Sequence, residues 1–482
     1  MRMRYLVILP AVALIALAGC SQKPTDLTYT TNSAQARDYY VQGLDKAENF
    51  FFKAAEDLFA RAIEADPDFA MAYYQWALNA SDNNEFLRRF KMAVERADKV
   101  PEVERLVILS TKASNDGDNE KSKALLVQAV QVYPNGKRLR LMMGNFYFGQ
   151  QDYAAAESEY RKAISVDPNF APPYNMLAYL LSNLDQYQAA IDALKQYAAL
   201  RPKDPNPHDS MGEIYLWMGD HENSLKEYSN SLNLDSTFAL SFAGLGHNYI
   251  FKGDLPQGRA MYEQIKAHAR SAADTGTSFF WTASSYCHEG KYDTAIKTLE
   301  DQLQFTRAHG DAFLEATIYG QIAEIYREAG DLKKAIEMAA MERQVAERPE
   351  ITLGARRAYQ LDAVFTIAVS YAKMGKMDSA GLQLEEFRKS AEASPNPISA
   401  GNLNALEGIL AYYGKDYEKA ISKLALANST DPLAKYYRAA AYEAAGKTGE
   451  AADAYANLAK YNRNSLSYGI VRPWAVAKAN KS

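Results

Sequence analysis

Six histidines, two cysteines and a recurring Gly-Lys dipeptide are the residues of this 482-residue chain whose types and spacing could do chemistry. Gly446-Lys447-Thr448 supplies the lysine and hydroxyl of a phosphate-cradling loop, but Ala441 stands where the loop needs its first glycine. Gly-Lys also recurs at 290–291 and 375–376, which points to a repeated turn rather than a phosphate site. His221-Glu222 and His288-Glu289 begin the spacing of a helical zinc box, but Leu225 and Tyr292 occupy the positions that would need the second histidine. Cys287 and His288 are adjacent, and helical neighbours point about 100° apart, which does not suit a thiolate–imidazole pair. All six histidines (His208, His221, His247, His268, His288, His309) fall within one stretch, and no two stand four residues apart. They read as scattered side chains rather than a metal site or pH-sensitive patch. No Gly-x-Ser-x-Gly elbow is present. The expectation is a non-enzyme without cofactor or metal.

Composition narrows the class. At about 150 residues per domain, the length suggests roughly three domains. Hydrophobic residues make up 48% and charged residues 23%, which excludes disorder throughout. The net charge of −5 gives no basic excess for nucleic-acid binding. The 33 tyrosines need a cause.

The N-terminus reads as an address. Arg2 and Arg4 precede a wholly apolar run from Leu6 to Leu17, too short for a span of about 20 residues. Leu17-Ala18-Gly19-Cys20 then resembles the lipobox of bacterial lipoproteins. The resemblance implies cleavage after residue 19, lipidation of Cys20 and anchoring to a membrane rather than spanning it. Cleavage would take the net charge from −5 to −7 and leave Cys287 as the sole free thiol. By analogy with that family, Ser21 after the cysteine favours an outer membrane facing the periplasm. Residues 20–35 read as a polar tether.

The body repeats. Prolines 67, 101, 134, 168 and 202 are spaced by 34, 33, 34 and 34 residues. A ladder of small residues (Gly43, Ala77, Ser110, Gly144, Ala178, Gly212, Gly246) carries the same single-residue deletion. One unit reads Met143-Gly144-x2-Tyr147, then Tyr153, Ala156, Tyr160, Ala163 and Pro168. This resembles the tetratricopeptide repeat (TPR), two amphipathic helices in 34 residues. Small slots let paired helices approach, aromatics fill the remaining volume, and proline ends the second helix. The ladder continues at Ala283, Ala323, Ala368, Gly408 and Ala439 with a looser period. A second one runs Gly258, Ala295, Ala335, Ala380, Ala420, Ala451. The expected fold is therefore an all-α, superhelical TPR solenoid of about twelve helix-turn-helix repeats. Its divisions are a regular 34-residue array at 36–275, a longer-period array at 276–460 and a capping tail at 461–482. In the second unit Arg89 takes a small slot. Longer connections are expected at 307–310 and 393–398, and a short capping helix after Pro473. Tyr147, Tyr215, Tyr249, Tyr286, Tyr326, Tyr371 and Tyr442 share one slot and read first as packing residues.

In TPR superhelices the first helix of each pair lines a concave groove. Carrying that geometry over gives a candidate partner-binding face of Asn145, Phe148, Asn175, Tyr179, Asp209, Glu213, Trp217, His247, Phe251, Phe280, His288, Glu324 and Arg327. Aromatics beside hydrogen-bonding groups suit an extended peptide or partner helix. Of the clamp residues used by chaperone-tail-binding TPR domains, only Asn145 matches; Leu141, Met176, Asn206 and Ser210 hold the other slots. The reading is a membrane-anchored scaffold lipoprotein of the bacterial cell envelope that binds proteins or peptides; the alternative is a glycan- or small-ligand-binding lipoprotein.

Overall fold

The computed structural model describes residues 29–49, 51–393 and 395–480, so the apolar leader and Cys20 lie outside the described residues. Twelve helical hairpins follow one another. They are α1 (Ala34–Glu48) with α2 (Phe52–Ala65), α3 (Ala70–Leu78) with α4 (Asn83–Val94), α5 (Glu102–Asn115) with α6 (Asn119–Val132), and α7 (Lys137–Gly149) with α8 (Tyr153–Val166). Next come α9 (Pro172–Asn183) with α10 (Tyr187–Leu200), α11 (Asn206–Met218) with α12 (His221–Leu234), α13 (Ala239–Phe251) with α14 (Leu255–Ala267), and α15 (Ala272–His288) with α16 (Tyr292–His309). The last four are α17 (Ala312–Ala329) with α18 (Leu332–Ala346), α19 (Leu353–Lys373) with α20 (Met377–Ala393), α21 (Pro397–Tyr413) with α22 (Tyr417–Leu424), and α23 (Pro432–Ala444) with α24 (Thr448–Ala459). A single helix, α25 (Leu466–Ala479), closes the chain.

The small-residue ladder does what its spacing requires. A Cβ added at Gly43 would lie 2.6 Å from the Phe59 ring, and one at Gly212 would lie 2.9 Å from the Tyr228 ring. Gly144 faces Tyr160, Gly246 faces Tyr262 and Gly408 faces Leu424 in the same way. In each case the partner stands sixteen residues on, in the second helix of the hairpin. Ala77 and Ala323 instead face the small Ala93 and Ala339 across the same interval. Glycine in the first helix thus makes room for a large ring in the second, and the layer keeps its packing density.

Arg89 fills its small slot by neutralising itself. Its guanidinium is buried, paired with Glu56 at 2.7 Å and Glu85 at 2.9 Å, and stacked 4.2 Å from the Trp76 ring.

The Gly-Lys dipeptides at 290, 375 and 446 are the inner turns of hairpins. Gly290, Gly375 and Gly446 have φ of 70°, 75° and 76°. The following lysine N–H groups donate to the carbonyls of Tyr286, Tyr371 and Tyr442, each at 2.9 Å. That is a left-handed helix stop, with glycine where a side chain would be strained. The tyrosines of this slot are only half-buried, whereas Tyr160, Tyr197 and Tyr262 in second helices are fully buried.

From α15 to α21 the helices lengthen, up to 21 residues in α19, and α22 to α24 are short again. The extra length goes into helix rather than connection at 307–309, which belongs to α16; only Gly310 and Asp311 join it to α17. Gly310, at φ 72°, and the Asp311 cap confine the turn to two residues.

The solenoid curls until distant hairpins meet. Asn84 Nδ2 donates to the Gly310 carbonyl at 2.8 Å, and Asn83 Nδ2 to that of Glu350 at 3.3 Å. A Cβ on Gly354 would come 3.1 Å from the Asn115 carbonyl oxygen. Arg201 pairs with Asp45 at 2.8 Å, and Arg138 with Glu48 at 2.6 Å.

Both ends of the array carry added chain. Residues 29–33, in the stretch expected to be a tether, pack on it: Thr30 N–H and hydroxyl donate to Glu104 Oε1 at 2.8 and 2.7 Å, and the Tyr29 ring meets Tyr40 edge-on. The last helix begins at Leu466 rather than after Pro473. The Ser465 side chain caps it, and Pro473 lies inside it. Instead of only ending the stack, α25 packs on α24 and also turns back onto α15.

Candidate binding surface

Consecutive first helices touch one another (α9, α11, α13 and α15; α17, α19, α21 and α23), so they form the inner wall of the curl. The extended segment 461–465 and α25 run along that wall. Arg463 Nη1 donates to Asn183 Oδ1 at 2.6 Å and Nη2 to the Ser182 carbonyl at 2.9 Å. Its guanidinium lies 4.0 Å from the Trp217 ring. The Ser284 hydroxyl donates to the Ser465 carbonyl at 3.3 Å, and the Ser467 hydroxyl to Glu324 Oε1 at 2.6 Å. Arg472 Nη2 donates to the Phe251 carbonyl at 3.1 Å. A Cβ on Gly469 would stand 2.9 Å from the Ser284 carbonyl oxygen, so α25 approaches α15 as closely as backbones allow.

Asn464 bridges two of the six histidines. Its Nδ2 lies 2.9 Å from His247 Nδ1, which also receives the Tyr262 hydroxyl at 2.8 Å. Two donors on one nitrogen make His247 Nδ1 an acceptor. Asn464 Oδ1 lies 3.1 Å from His288 Nε2, which must therefore donate, leaving His288 Nδ1 without a partner. His247, with Nδ1 accepting, is neutral, and His288 has no acceptor beside Nδ1 to hold a second proton. Burial pushes His247 down to about 3 and His288 down to about 4. The other histidines have separate partners, among them Glu227 for His208 and Asn248 for His221. Among the described residues, no three His, Cys, Asp or Glu side chains converge on a metal position.

The candidate residues fall into three groups. Trp217, His247, Phe251, His288 and Glu324 share the wall facing the tail and touch it. Phe280 lies beside them, edge-on to Trp281 at 4.7 Å. Tyr179, Asp209, Glu213 and Arg327 are tied into internal networks. The Tyr179 hydroxyl donates to Glu213 Oε2 at 2.8 Å, and Ser241 donates to Asp209 Oδ1 at 2.7 Å. Arg327 is buried against Glu328 at 2.7 Å and Thr366 at 2.8 Å, and Lys373 reaches the same Glu328 at 2.7 Å. Asn175 is buried. Asn145 is exposed and accepts from Tyr160, while Phe148 is half-buried beside Tyr153. Burial pushes the carboxyls of Asp209 and Glu324 up to about 7 and also raises Glu213.

Beyond the tail, the inner wall borders an open-sided cavity of about 730 Å³. Gly117 and Gln150 line one side, α17 and α19 the other, and Ser467 of α25 contributes to its edge. Glu342 and Asp362 converge there: a Cβ on Gly320 would lie 3.0 Å from Glu342 Oε1 and 3.0 Å from Asp362 Oδ2. Burial and the neighbouring Asp362 raise the Glu342 carboxyl; Asp362, whose side chain opens to the cavity, is raised by the crowded wall around it and lowered by Arg327 and by its hydrogen bond to Glu342. The spacing of the repeat does not reveal this pair, because Glu342 comes from a second helix and reaches the cavity over Gly320. Nor does it reveal Arg463, Asn464 and Ser467, which lie outside the repeat. Their only signal is a polar run, Asn462-Arg463-Asn464-Ser465, just after the last unit.

Models of the tetratricopeptide-repeat family match residues 274–348, 159–192 and 138–170. Over 177 residues the chain is 27% identical to anaphase-promoting complex subunit 3 of Schizosaccharomyces pombe, covering 36% of this chain and 26% of that protein. Over 135 residues it is 26% identical to small glutamine-rich tetratricopeptide repeat-containing protein 2 of Mycosarcoma maydis, covering 28% and 35%. The matches span only 26% and 35% of these relatives' own length. Among solved structures, the anaphase-promoting complex hetero-tetramer Cut9–Hcn1 is similar over 87% of this chain and 75% of that one, with 13% identity and a TM-score of 0.43. A tetratricopeptide repeat protein from Parabacteroides merdae is similar over 54% and 98%, with 15% identity and a TM-score of 0.37.

Proposed function

Because the chain is a tetratricopeptide-repeat protein, a class that serves as interaction scaffolds, we propose that it is a membrane-anchored scaffold lipoprotein of the bacterial cell envelope. Cys20 carries the lipid, the outer membrane is its site, and the inner wall binds a protein or peptide partner. The observation that carries the binding role is the tail itself. An extended polar segment, 461–465, lies along the inner wall, held by side-chain and main-chain hydrogen bonds and by a guanidinium over Trp217. A wall of this chemistry grips peptide. With α9–α15 occupied by the tail, the stretch left for a partner is that of Asn145 and Phe148.

A photo-crosslinking residue at position 145 or 148, in lipidated protein in intact cells, should give a discrete protein adduct. The same group at the exposed Arg161 on α8 should not. Absence of an adduct from both inner positions overturns the scaffold role. Cys20→Ser should release the protein from the membrane fraction and abolish labelling by palmitate; a variant that stays membrane-bound overturns the anchor.

The open-sided cavity favours a second reading, a binder of small ligands, since about 300–1,000 Å³ is the usual size of such sites. Trp217 is covered by Arg463, so its fluorescence does not report on that cavity.

A further inference from the structure

Among the residues lining the cavity, two buried side-chain oxygens lack a partner, Glu342 Oε2 and Gln321 Oε1, and both are acceptors. Glu342 is only 1% exposed. Its other oxygen shares the space over Gly320 with Asp362, where no side chain intervenes. Two carboxyls facing one point cannot both ionise unless a positive charge stands between them. The nearby Arg327 offsets only part of this charge: it lowers Asp362, but it is shared with Glu324 and Glu328, and its Nε and one Nη1 N–H go to Glu328 and Thr366.

We propose that the cavity binds an organic cation, an amine or guanidinium group, held by Glu342 and Asp362 over Gly320 with Gln321 as a further acceptor. The proposal deepens the small-ligand reading and rests on it; it is independent of membrane anchoring. An ammonium brings three donors to a wall offering three acceptors and converts an acid pair into an ion triad. The half-buried Tyr359 and Phe365 of α19 line the same space and provide rings for the alkyl part of such a ligand.

The titratable and charged groups lining the cavity are Glu324 and Arg327 on α17, Glu342 on α18, Arg357, Tyr359 and Asp362 on α19, and Asp431 ahead of α23. Because burial holds a proton on the pair, a cation must displace it, and affinity rises with pH.

The test is titration calorimetry of the full chain with putrescine and agmatine, against the uncharged 1,4-butanediol and against maltotriose. Putrescine or agmatine should bind, about fivefold or more tighter at pH 8 than at pH 6, with proton release. Glu342→Gln and Asp362→Asn should each weaken binding at least about tenfold. Gly320→Ala, which keeps both charges but displaces them, should also weaken it. A melt in the absence of ligand identifies any variant that fails to fold, and the remaining variants then decide. Binding of maltotriose without either amine leaves a ligand site but overturns the cation. Binding of none of the four overturns both. Amine binding unchanged in all folded variants overturns the proposed residues.

Discussion

Two stretches of the same inner wall have opposite solutions for their polar groups. Along α9 to α15 the tail supplies partners for several of them: Arg463 for Trp217 and Asn183, Asn464 for His247 and His288, Ser465 for Ser284. Along α17 to α19, no such segment covers the wall, and two residues lining the cavity keep buried oxygens without a partner, Glu342 Oε2 and Gln321 Oε1. Glu324, matched to Ser467 and also lining the cavity, marks the boundary. The repeat builds one wall, but the covered stretch is finished by its own chain and the open one invites a ligand.

The strongest way to break this contrast is to remove the cover. A chain ending at residue 460 loses the fully buried Tyr468, Ile470 and Val471. At about 1.5–3 kcal/mol each, this costs at least about 4 kcal/mol, read as a lower melting temperature or loss of solubility. A synthetic peptide spanning 461–480 should restore the melt. An unchanged melt would show that the covered stretch needs no cover.

Gly469→Ala tests the closeness of the cover. Its Cβ meets a backbone oxygen that cannot swing away, so a loss of about 1–3 kcal/mol is expected despite the better helix former. A gain in stability would mean that α25 stands off the wall.

Acid should loosen the covered stretch through its histidines. Their folded pKa values of about 3 and 4 lie below the ordinary 6.5, so the unfolded chain binds more protons as the pH falls below 6.5. Their stabilising contribution is full above that value and declines toward pH 4 and 3. The double variant His247→Gln, His288→Gln should therefore lose about 2–3 kcal/mol less than the wild type between pH 7 and 5.5. Equal losses would remove the histidines from the account.

The last effect belongs to the boundary. The Glu324 carboxyl, raised to about 7 by burial, is ionised above that pH at a cost and protonated below it. Glu324→Gln should therefore gain stability relative to the wild type by about 2–3 kcal/mol between pH 5 and pH 8. No gain would place Glu324 in an open, solvated position.

Much of the fold is legible before any coordinates, because a repeat states its packing rule many times. Gly144 and Tyr160, or Gly246 and Tyr262, reveal helix contact by recurrence alone. The turn role of Gly290, Gly375 and Gly446 is legible for the same reason. The candidate face is legible as a direction: Trp217, His247, Phe251, His288 and Glu324 do share one surface. What covers them is not, since 461–465 matches no repeat slot and its partners lie up to 281 residues away. Arg327 has the periodicity of a groove residue and does line the cavity, but the buried charge pair it makes with Glu328 is not visible in that periodicity.

By itself the sequence determined the local, periodic features: helix hairpins, their small and aromatic slots, their stops and their number. These follow from contacts between residues a fixed interval apart, so each unit carries its own evidence. Only the tertiary structure decided how far the array curls, that its tail returns along the inner wall, and that Glu342 and Asp362 meet over Gly320. Those depend on summed rotations between hairpins and on contacts at large separation, which no periodic pattern encodes.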